Sequence, residues 1–363
     1  MIIGVDGIEA NVEQKVGVSV YTMELLSYFQ RSANKDTQFI VYLRSHPLPD
    51  LPQENDYFKY EIVPSKGFWR DLFFPIHLHL HRSIDVLFCP AHYVPRWCPV
   101  PTVVTIHDLA YEFFPDEFTK KDLYKLTHWT RQAVQASKRV IAVSQSTAHD
   151  LHSIYGTPRK KIFTVYNGYS VFSSSEKSSL EDYNLKPQSF FVYIGTLQPR
   201  KNIPTLLKAF ATFHETHKDI KLVIVGKKGW LYEGIFQEAQ RLKLDKAIIF
   251  TGYVKSLEVF YKNALGYILP SLYEGFGLPV IEAMHYGCPV IVSTTPALKE
   301  VGGDACLTFD PHDTIALTQR LEKILIPSVR RTLIEKGTKR AKQFSWEKTA
   351  EKTLQIIKDS TQK

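Results

Sequence analysis

No apolar run in this chain approaches the roughly 18–20 residues that a membrane-spanning helix needs, so a transmembrane reading has nothing to start from. The first ten residues, MIIGVDGIEA, carry no basic stretch ahead of an apolar one, which removes the support for a secretory signal; a cytoplasmic protein is expected. Cysteine is scarce. The four present, Cys89, Cys98, Cys288 and Cys306, form no CxxC pair, so neither a disulfide framework nor a zinc knuckle is indicated and buried reduced thiols are expected. No GxGxxG follows a first strand and no GxxxxGKS/T occurs, which takes away the main support for a dinucleotide oxidoreductase and for a P-loop enzyme. A DxD pair is missing too. A diphosphate bridged by a metal loses its usual carboxylates, and neither a metal nor any other cofactor is expected.

The charge that is there is unevenly placed. Of the net +8 carried by 363 residues, residues 1–172 contribute little, with 18 Lys/Arg against 17 Asp/Glu; residues 173–363 hold 27 against 20. The basic clusters Arg159-Lys160-Lys161 and Lys227-Lys228 are short and are not interleaved with aromatics, so a nucleic-acid partner is not indicated. A field concentrated in one half instead suits an anionic small molecule bound there.

Short apolar strands alternate with helical patterns along the whole chain. In the first half, strands are expected at Ile2–Val5, Gln38–Leu43, Tyr60–Val63, Asp85–Cys89, Thr102–Ile106, Val140–Val143 and Ile162–Val165, with helices at Val18–Phe29, near Asp71–Arg82, at Thr119–Ser137 and at Thr147–Tyr155, the last capped by Ser144 or Ser146. His77, His79 and His81 alternate within one of them. A spacing of two does not put three imidazoles on one helical face, so a surface or groove helix is expected there rather than a metal site. Residues Tyr169–Gln188 are rich in serine and poor in apolar periodicity, which marks a linker. The rhythm then restarts with strands Phe190–Ile194, Lys221–Val225 and Ile248–Phe250. The expected fold is α/β, two doubly wound Rossmann-like domains facing across a crevice: 1–172, joined by a C-terminal helix 344–363, and 173–343.

The second half is organised around Tyr267–Ser293, a strand (Tyr267–Leu269), a loop with Gly275 and Gly277, a helix opening at Pro279, and a second apolar strand. Ligands in parallel sheets bind where strands end and helices begin, and two carboxylates lie at that place, Glu274 in the loop and Glu282 in the first helical turn. Beside a phosphate, Glu282 would accept hydrogen bonds from a vicinal diol such as a ribose; the plainer use is a charge complementing the helix dipole. Arg200 and Lys201, in GTLQPRKN at the mouth of the next helix, make a candidate anion site. In the first half, His107-Asp108 closes the strand TVVTI. His107 can donate to a sugar hydroxyl or a carbonyl with Asp108 orienting it, or the pair can simply close a turn.

Taken together, EGFGLPVIEAMHYGCPVIVS, YIGTLQPRKNIPTLLKAF, VYNG, FTGYV and FSWEKTAEKTL resemble the family 4 retaining glycosyltransferases of the GT-B fold, and among them bacterial surface-polysaccharide mannosyltransferases. The resemblance covers nearly the whole chain, and a glutamate, seven residues and a second glutamate are its mark. It implies Glu282 as ribose ligand and Glu274 near the donor sugar, with Gly275, Phe276, Gly277 and Leu278 beside sugar and phosphate. It further implies Arg200 and Lys201 on the leaving diphosphate, His107 reaching the donor sugar, Gly17 in a loop approaching the diphosphate, and Tyr253 and Val254 at the base. Where relatives carry a glycine and an arginine after that first glycine, this chain has Ser19 and Val20, so the arginine's contact is missing.

The partners expected are a nucleotide sugar, in first place GDP-mannose, and a saccharide or lipid-linked glycan acceptor; a UDP-sugar transferase and a non-catalytic glycan- or nucleotide-binding scaffold are the alternatives. Trp69, Phe73, Phe74 and Trp97 fit an acceptor groove, a lipid-linked substrate at the membrane surface, or a core. Peripheral contact with the cytoplasmic membrane face is open on this reading, though a first half of near-zero net charge does not predict strong attraction to anionic lipid.

Overall fold

The computed structural model describes residues 1–65, 67–170 and 179–362. The chain forms two compact units, Met1–Gly168 with Ser345–Lys363, and Tyr169–Phe344. Residues 171–178, the centre of the expected linker, lie outside the described residues.

The first unit runs β1 (Ile2–Asp6), α1 (Val18–Ser32), β2 (Gln38–Leu43), β3 (Phe58–Ile62), α2 (Phe74–Leu80), β4 (Val86–Cys89), β5 (Thr102–Ile106), α3 (Ala110–Phe113), α4 (Lys120–Ala136), β6 (Arg139–Ala142), α5 (Gln145–Tyr155) and β7 (Ile162–Thr164). Its seven strands are all parallel, in the order β3-β2-β1-β4-β5-β6-β7. The second unit runs β8 (Phe190–Ile194), α6 (Ile203–His214), β9 (Lys221–Val225), α7 (Glu233–Arg241), β10 (Ile248–Gly252), α8 (Glu258–Asn263), β11 (Gly266–Leu269), α9 (Leu278–His285), β12 (Val290–Ser293), α10 (Pro296–Gly302), β13 (Leu307–Phe309), α11 (Thr314–Ile324) and α12 (Pro327–Ala341). Six parallel strands form its sheet, in the order β10-β9-β8-β11-β12-β13. The chain ends with α13 (Trp346–Asp359), which belongs to the first unit.

Both sheets are doubly wound, and in each the strand order reverses beside the first strand, between β1 and β4 and between β8 and β11. Helices cover both faces of such a sheet, which is why strands such as FFVYI (β8) are buried at every residue and read as unbroken apolar runs. Helix starts follow their caps: Thr119 accepts from Asp122 N, Ser144 from Thr147 N and Ser345 from Lys348 N. Helix α13 buries Trp346, Ala350, Leu354 and Ile357, and Thr349 Oγ1 donates to Tyr166 O at 2.7 Å. Its first turn passes so close to Gly168 that a Cβ there would lie 2.1 Å from Trp346 N; only glycine fits.

One expected helix is divided. Residues 69–73 form a π-turn and α2 follows it with Pro75 in its first turn. The wider turn places Trp69 inward, its Nε1 donating to Val63 O at 2.7 Å and its ring 4.2 Å from that of Phe74. It also brings Arg70 to Asp6 (2.8 Å) and Glu9 (3.1 Å) at the carboxyl end of β1, over the ring of Tyr93. The three alternating histidines go separate ways: His77 Nε2 lies 2.6 Å from Glu61 Oε1, His79 Nε2 donates to Trp97 O, and His81 packs against His77. Among the described residues no group of three or more His, Cys, Asp or Glu is gathered in a way that could hold a metal. All four cysteines are free, and no helix among the described residues is long and apolar enough to cross a membrane.

Candidate functional site

At the switch point of the second unit, two loops are zipped together. The loop after β8 leads through a 3-10 turn, Pro199–Lys201, to Asn202, whose φ of 55° lets it open α6. Asn202 Nδ2 donates to Pro270 O (3.1 Å) and Pro311 O (2.7 Å), and Leu272 N donates to Arg200 O at 2.8 Å. These bonds hold the loop after β11 against the loop after β8 and fix Glu274 over the two cations. Lys201 Nζ donates to Glu274 Oε1 at 2.5 Å, Ser271 Oγ donates to the same oxygen at 2.7 Å, and Arg200 Nη1 lies 3.6 Å from Glu274 Oε2 while donating to Tyr273 O. The sequence suggested cations waiting for an anion; the structure gives them Glu274 as a partner within the protein. The cluster therefore carries a net charge near +1.

Glu274 is only 8% exposed, and burial by itself would raise its pKa. Lys201 and Arg200, with the hydrogen bonds from Lys201 and Ser271, outweigh that and hold the carboxyl below its ordinary value. From here the chain passes through Gly275 and Phe276 to Gly277, which opens α9 with φ 99°; no side chain caps this helix start. The N–H groups of the first turn and the positive end of the dipole are thus set beside the cluster, the arrangement that favours phosphate. A side chain at Gly277 is excluded twice over, by the φ and by Leu298 Cδ2, which would lie 2.6 Å from a Cβ. Gly277→Ala is expected to cost about 1–3 kcal/mol, read as a lower urea midpoint.

Glu282 is the fifth residue of α9, in its second turn rather than its first. A charge complementing the dipole acts within the first turn, so that plainer use does not fit. The side chain is 8% exposed and accepts a 3.0 Å hydrogen bond from Tyr261 Oη on α8. Burial pushes its pKa up to about 7, against the smaller opposing effect of the Tyr261 bond. Tyr253, exposed, and Val254 follow β10 in the same unit.

The first-half candidates lie at the carboxyl ends of the other sheet. Gly17 opens α1 with φ 52° in open space, and its helix continues through Ser19 and Val20. His107 Nε2 donates to Pro90 O at 2.7 Å, which fixes the neutral tautomer with Nδ1 as the acceptor atom. Burial, with His92 nearby, lowers its pKa to about 4. This corrects the expected role: in this tautomer the ring's N–H is already used, and what Nδ1 offers a ligand is a lone pair. Asp108 Oδ1 accepts from Ala110 N at 3.1 Å, closing the turn into α3, and the carbonyl of Pro90 orients the imidazole.

Four partners carried no signal that the sequence reading used: Asn202, Ser271, Tyr261 and the Arg70–Asp6–Glu9 group. Ser271, only three residues before Glu274, was the nearest of them in the chain to a residue the sequence reading had singled out.

Two Rossmann-like parallel sheets of this order are the architecture of the GT-B glycosyltransferases. The chain belongs to that class through glycosyltransferase family 4: residues 16–171 match the family described as Glycosyltransferase Family 4, and residues 176–340 match Glycosyl transferases group 1. It is similar to the O-antigen chain mannosyltransferase B of Escherichia coli, with 32% identity over 265 residues, 70% of each chain. The O-antigen chain mannosyltransferase RfbU of Salmonella typhimurium is 28% identical over 62% of this chain and 61% of its own. Among solved structures, sucrose-phosphate synthase from Thermosynechococcus elongatus superposes with a TM-score of 0.79 at 20% identity, covering 99% of this chain and 98% of that one. Anabaena HepE, in complex with UDP and glucose, does so with a TM-score of 0.77 at 16% identity, covering 98% and 99%. The expected fold class and family are therefore those of the protein.

Proposed function

We propose that the chain transfers mannose from GDP-mannose, with retention, to a saccharide or lipid-linked glycan acceptor in the synthesis of a cell-surface polysaccharide. The observation that carries this reading is the Arg200–Lys201–Glu274 cluster at the uncapped start of α9, with buried Glu282 in the same helix. The donor's diphosphate would lie against Lys201, Arg200 and the helix N–H groups, Glu282 would accept from the ribose hydroxyls, and Glu274 would face the sugar beside the Gly275–Leu278 backbone. Tyr253 and Val254 would meet the base, and Gly17 and His107 belong to the same donor reading. Mannose is favoured by the likeness to O-antigen mannosyltransferases.

The chemistry follows from those charges. The bond from the anomeric carbon to the diphosphate oxygen breaks, leaving an oxocarbenium-like sugar; the acceptor oxygen bonds to the same face, and its proton passes to the departing diphosphate. The two cations and the helix dipole stabilise the charge that develops on that leaving group. No protein nucleophile, metal or other cofactor takes part. A UDP-sugar donor is the second reading, favoured by the fold shared with HepE, which was solved with UDP and glucose.

Calorimetric titration with GDP, UDP and ADP, and then with the matching sugar nucleotides, tests the donor. GDP binding tightest, with GDP-mannose bound and consumed when a glycan acceptor is added, is the expected result. Preference for UDP transfers the reading to a UDP-sugar, and no binding to any of the three would support a scaffold.

A further inference from the structure

A second polar group lies at the other topological switch point, where β1 and β4 adjoin in the first sheet. Ligands of doubly wound sheets bind at such a point, beyond the carboxyl ends of the strands. Asp6, the last residue of β1, is buried and accepts from Arg70 Nε at 2.8 Å, and Glu9 Oε1 accepts from Arg70 Nη2 at 3.1 Å. The guanidinium lies 4.7 Å from the ring centroid of Tyr93, and that ring meets Trp129 of α4 edge-on at 4.9 Å. His92 stands between this group and His107, its ring centroid 6.3 Å from that of Tyr93 and 6.0 Å from that of His107. Its Nδ1 is closed off from solvent and has no hydrogen-bond partner among the described residues. Glu9 Oε2, Arg70 Nη1 and the Tyr93 hydroxyl likewise make no hydrogen bond among the described residues. Polar atoms left unpaired at a cost to stability mark a place shaped for something besides folding.

We propose that this group is a subsite for the acceptor and that it takes an uncharged sugar residue, not a phosphorylated sugar or a uronic acid. The proposal deepens the glycosyltransferase reading and rests on it. Charge selects the occupant. Asp6 and Glu9 set two negative charges against the one positive charge of Arg70, and Asp108 near His92 adds a third. Burial lowers the pKa of His92, against the opposing pull of Asp108 and Glu9, so the ring adds no positive charge. An anion would meet that negative field; a neutral sugar would not. Its hydroxyls can donate to the open oxygen of Glu9 and accept from the open N–H of Arg70, the two complementary edges that suit a vicinal diol. Tyr93 and Trp129 supply apolar ring surface with a polar tip, which suits the C–H face of a pyranose. The Arg200–Lys201–Glu274 cluster has the opposite sign, so the diphosphate and the acceptor sugar are sorted by charge.

The test is saturation-transfer NMR on the full chain, with and without GDP. The probes are the methyl glycosides of mannose, glucose, galactose and N-acetylglucosamine, set against methyl glucuronide and mannose 6-phosphate. At least one neutral glycoside is expected to bind, about tenfold or more tightly than either acid in competition. Glu9→Gln keeps the size of the side chain and an oxygen for Arg70, but it removes the charge and turns the open edge from acceptor to donor. It should weaken the neutral glycoside about tenfold and narrow its margin over the acids, with melting temperature and GDP affinity unchanged. Three results overturn the proposal: an acid bound as tightly as the neutral glycosides, no neutral glycoside bound, or a Glu9→Gln variant that binds them as the wild type does. Weaker glycoside binding in Glu9→Gln that comes with a lowered melting temperature and weaker GDP binding also overturns it, in favour of a purely structural role. Glycoside binding without any response to GDP, UDP or ADP would leave this subsite standing and count against the donor reading.

Discussion

Lys201→Ala is expected to lower turnover about 10²- to 10³-fold, the usual loss when one stabiliser of developing charge is removed. The ammonium is held 2.5 Å from Glu274 Oε1 in a buried cluster, so it is positioned before any donor arrives and needs little reorganisation when the diphosphate leaves. The same contact gives the substitution a second, structural effect. Removing one partner of a buried ion pair costs about 3–5 kcal/mol when the remaining charge has no other partner. Here Arg200 at 3.6 Å and the Ser271 hydroxyl remain, so a loss at or below the lower end is expected. The sign with pH follows from the lowered pKa of Glu274. Its contribution to stability is present above the unfolded value of about 4.3 and is lost as pH falls through the lower folded value. Taking away Lys201 lets the folded pKa rise, so the acid unfolding of Lys201→Ala should begin at higher pH than that of the wild type. Single-turnover consumption of GDP-mannose per folded molecule, with melting recorded in parallel, separates the two effects. A rate equal to wild type would remove Lys201 from the leaving-group site.

What the sequence shows of this fold follows burial closely. Strands β2, β5, β8 and β9 have the boundaries read from their apolar runs, because a parallel strand covered on both faces must be apolar throughout. The stretch around Trp69–Leu80 was harder. The π-turn inserts an extra residue into the helical phase, so Trp69 and Phe74 go inward while Phe73 goes outward, and no fixed 3.6-residue period separates those aromatics. In the candidate site, the residues that stand together in the chain were visible as types: two cations before a helix, two glutamates around a glycine-rich loop. Their pairing was not. Lys201 and Glu274 are 73 positions apart, and their contact depends on Asn202 and Leu272 joining two loops, for which one sequence offers no signal. The ring state of His107 was equally hidden, because the carbonyl that fixes it belongs to Pro90, 17 positions away on a separate loop.

Glu282→Gln is expected to make the protein more stable at neutral pH and worse at holding its nucleotide. Burial raises the Glu282 pKa to about 7, with the Tyr261 hydroxyl only partly compensating. A carboxyl shifted upward contributes stability that is fully present below its unfolded pKa of about 4.3 and is lost as pH rises toward 7, at up to about 1.4 kcal/mol per pH unit. At pH 8 the wild type therefore holds a buried charge against its preference, and the neutral glutamine relieves it. The melting temperature of Glu282→Gln should exceed that of the wild type at pH 8, with the difference shrinking toward pH 5. Nucleotide binding should move the other way. An ionised carboxylate accepting from a ribose hydroxyl contributes about 1.5–3 kcal/mol per bond; glutamine keeps one accepting oxygen, so about one such bond is lost and GDP should bind about ten- to a hundredfold more weakly to the variant at pH 8. The wild-type affinity should climb with pH through about 7 while that of the variant stays flat. A glutamate kept only for packing would show the same pH-dependent stability difference, which comes from burial alone, but unchanged nucleotide affinity, so the affinity is the result that decides. A carboxylate that weakens the free protein at neutral pH and strengthens its complex is one whose partner is the ligand.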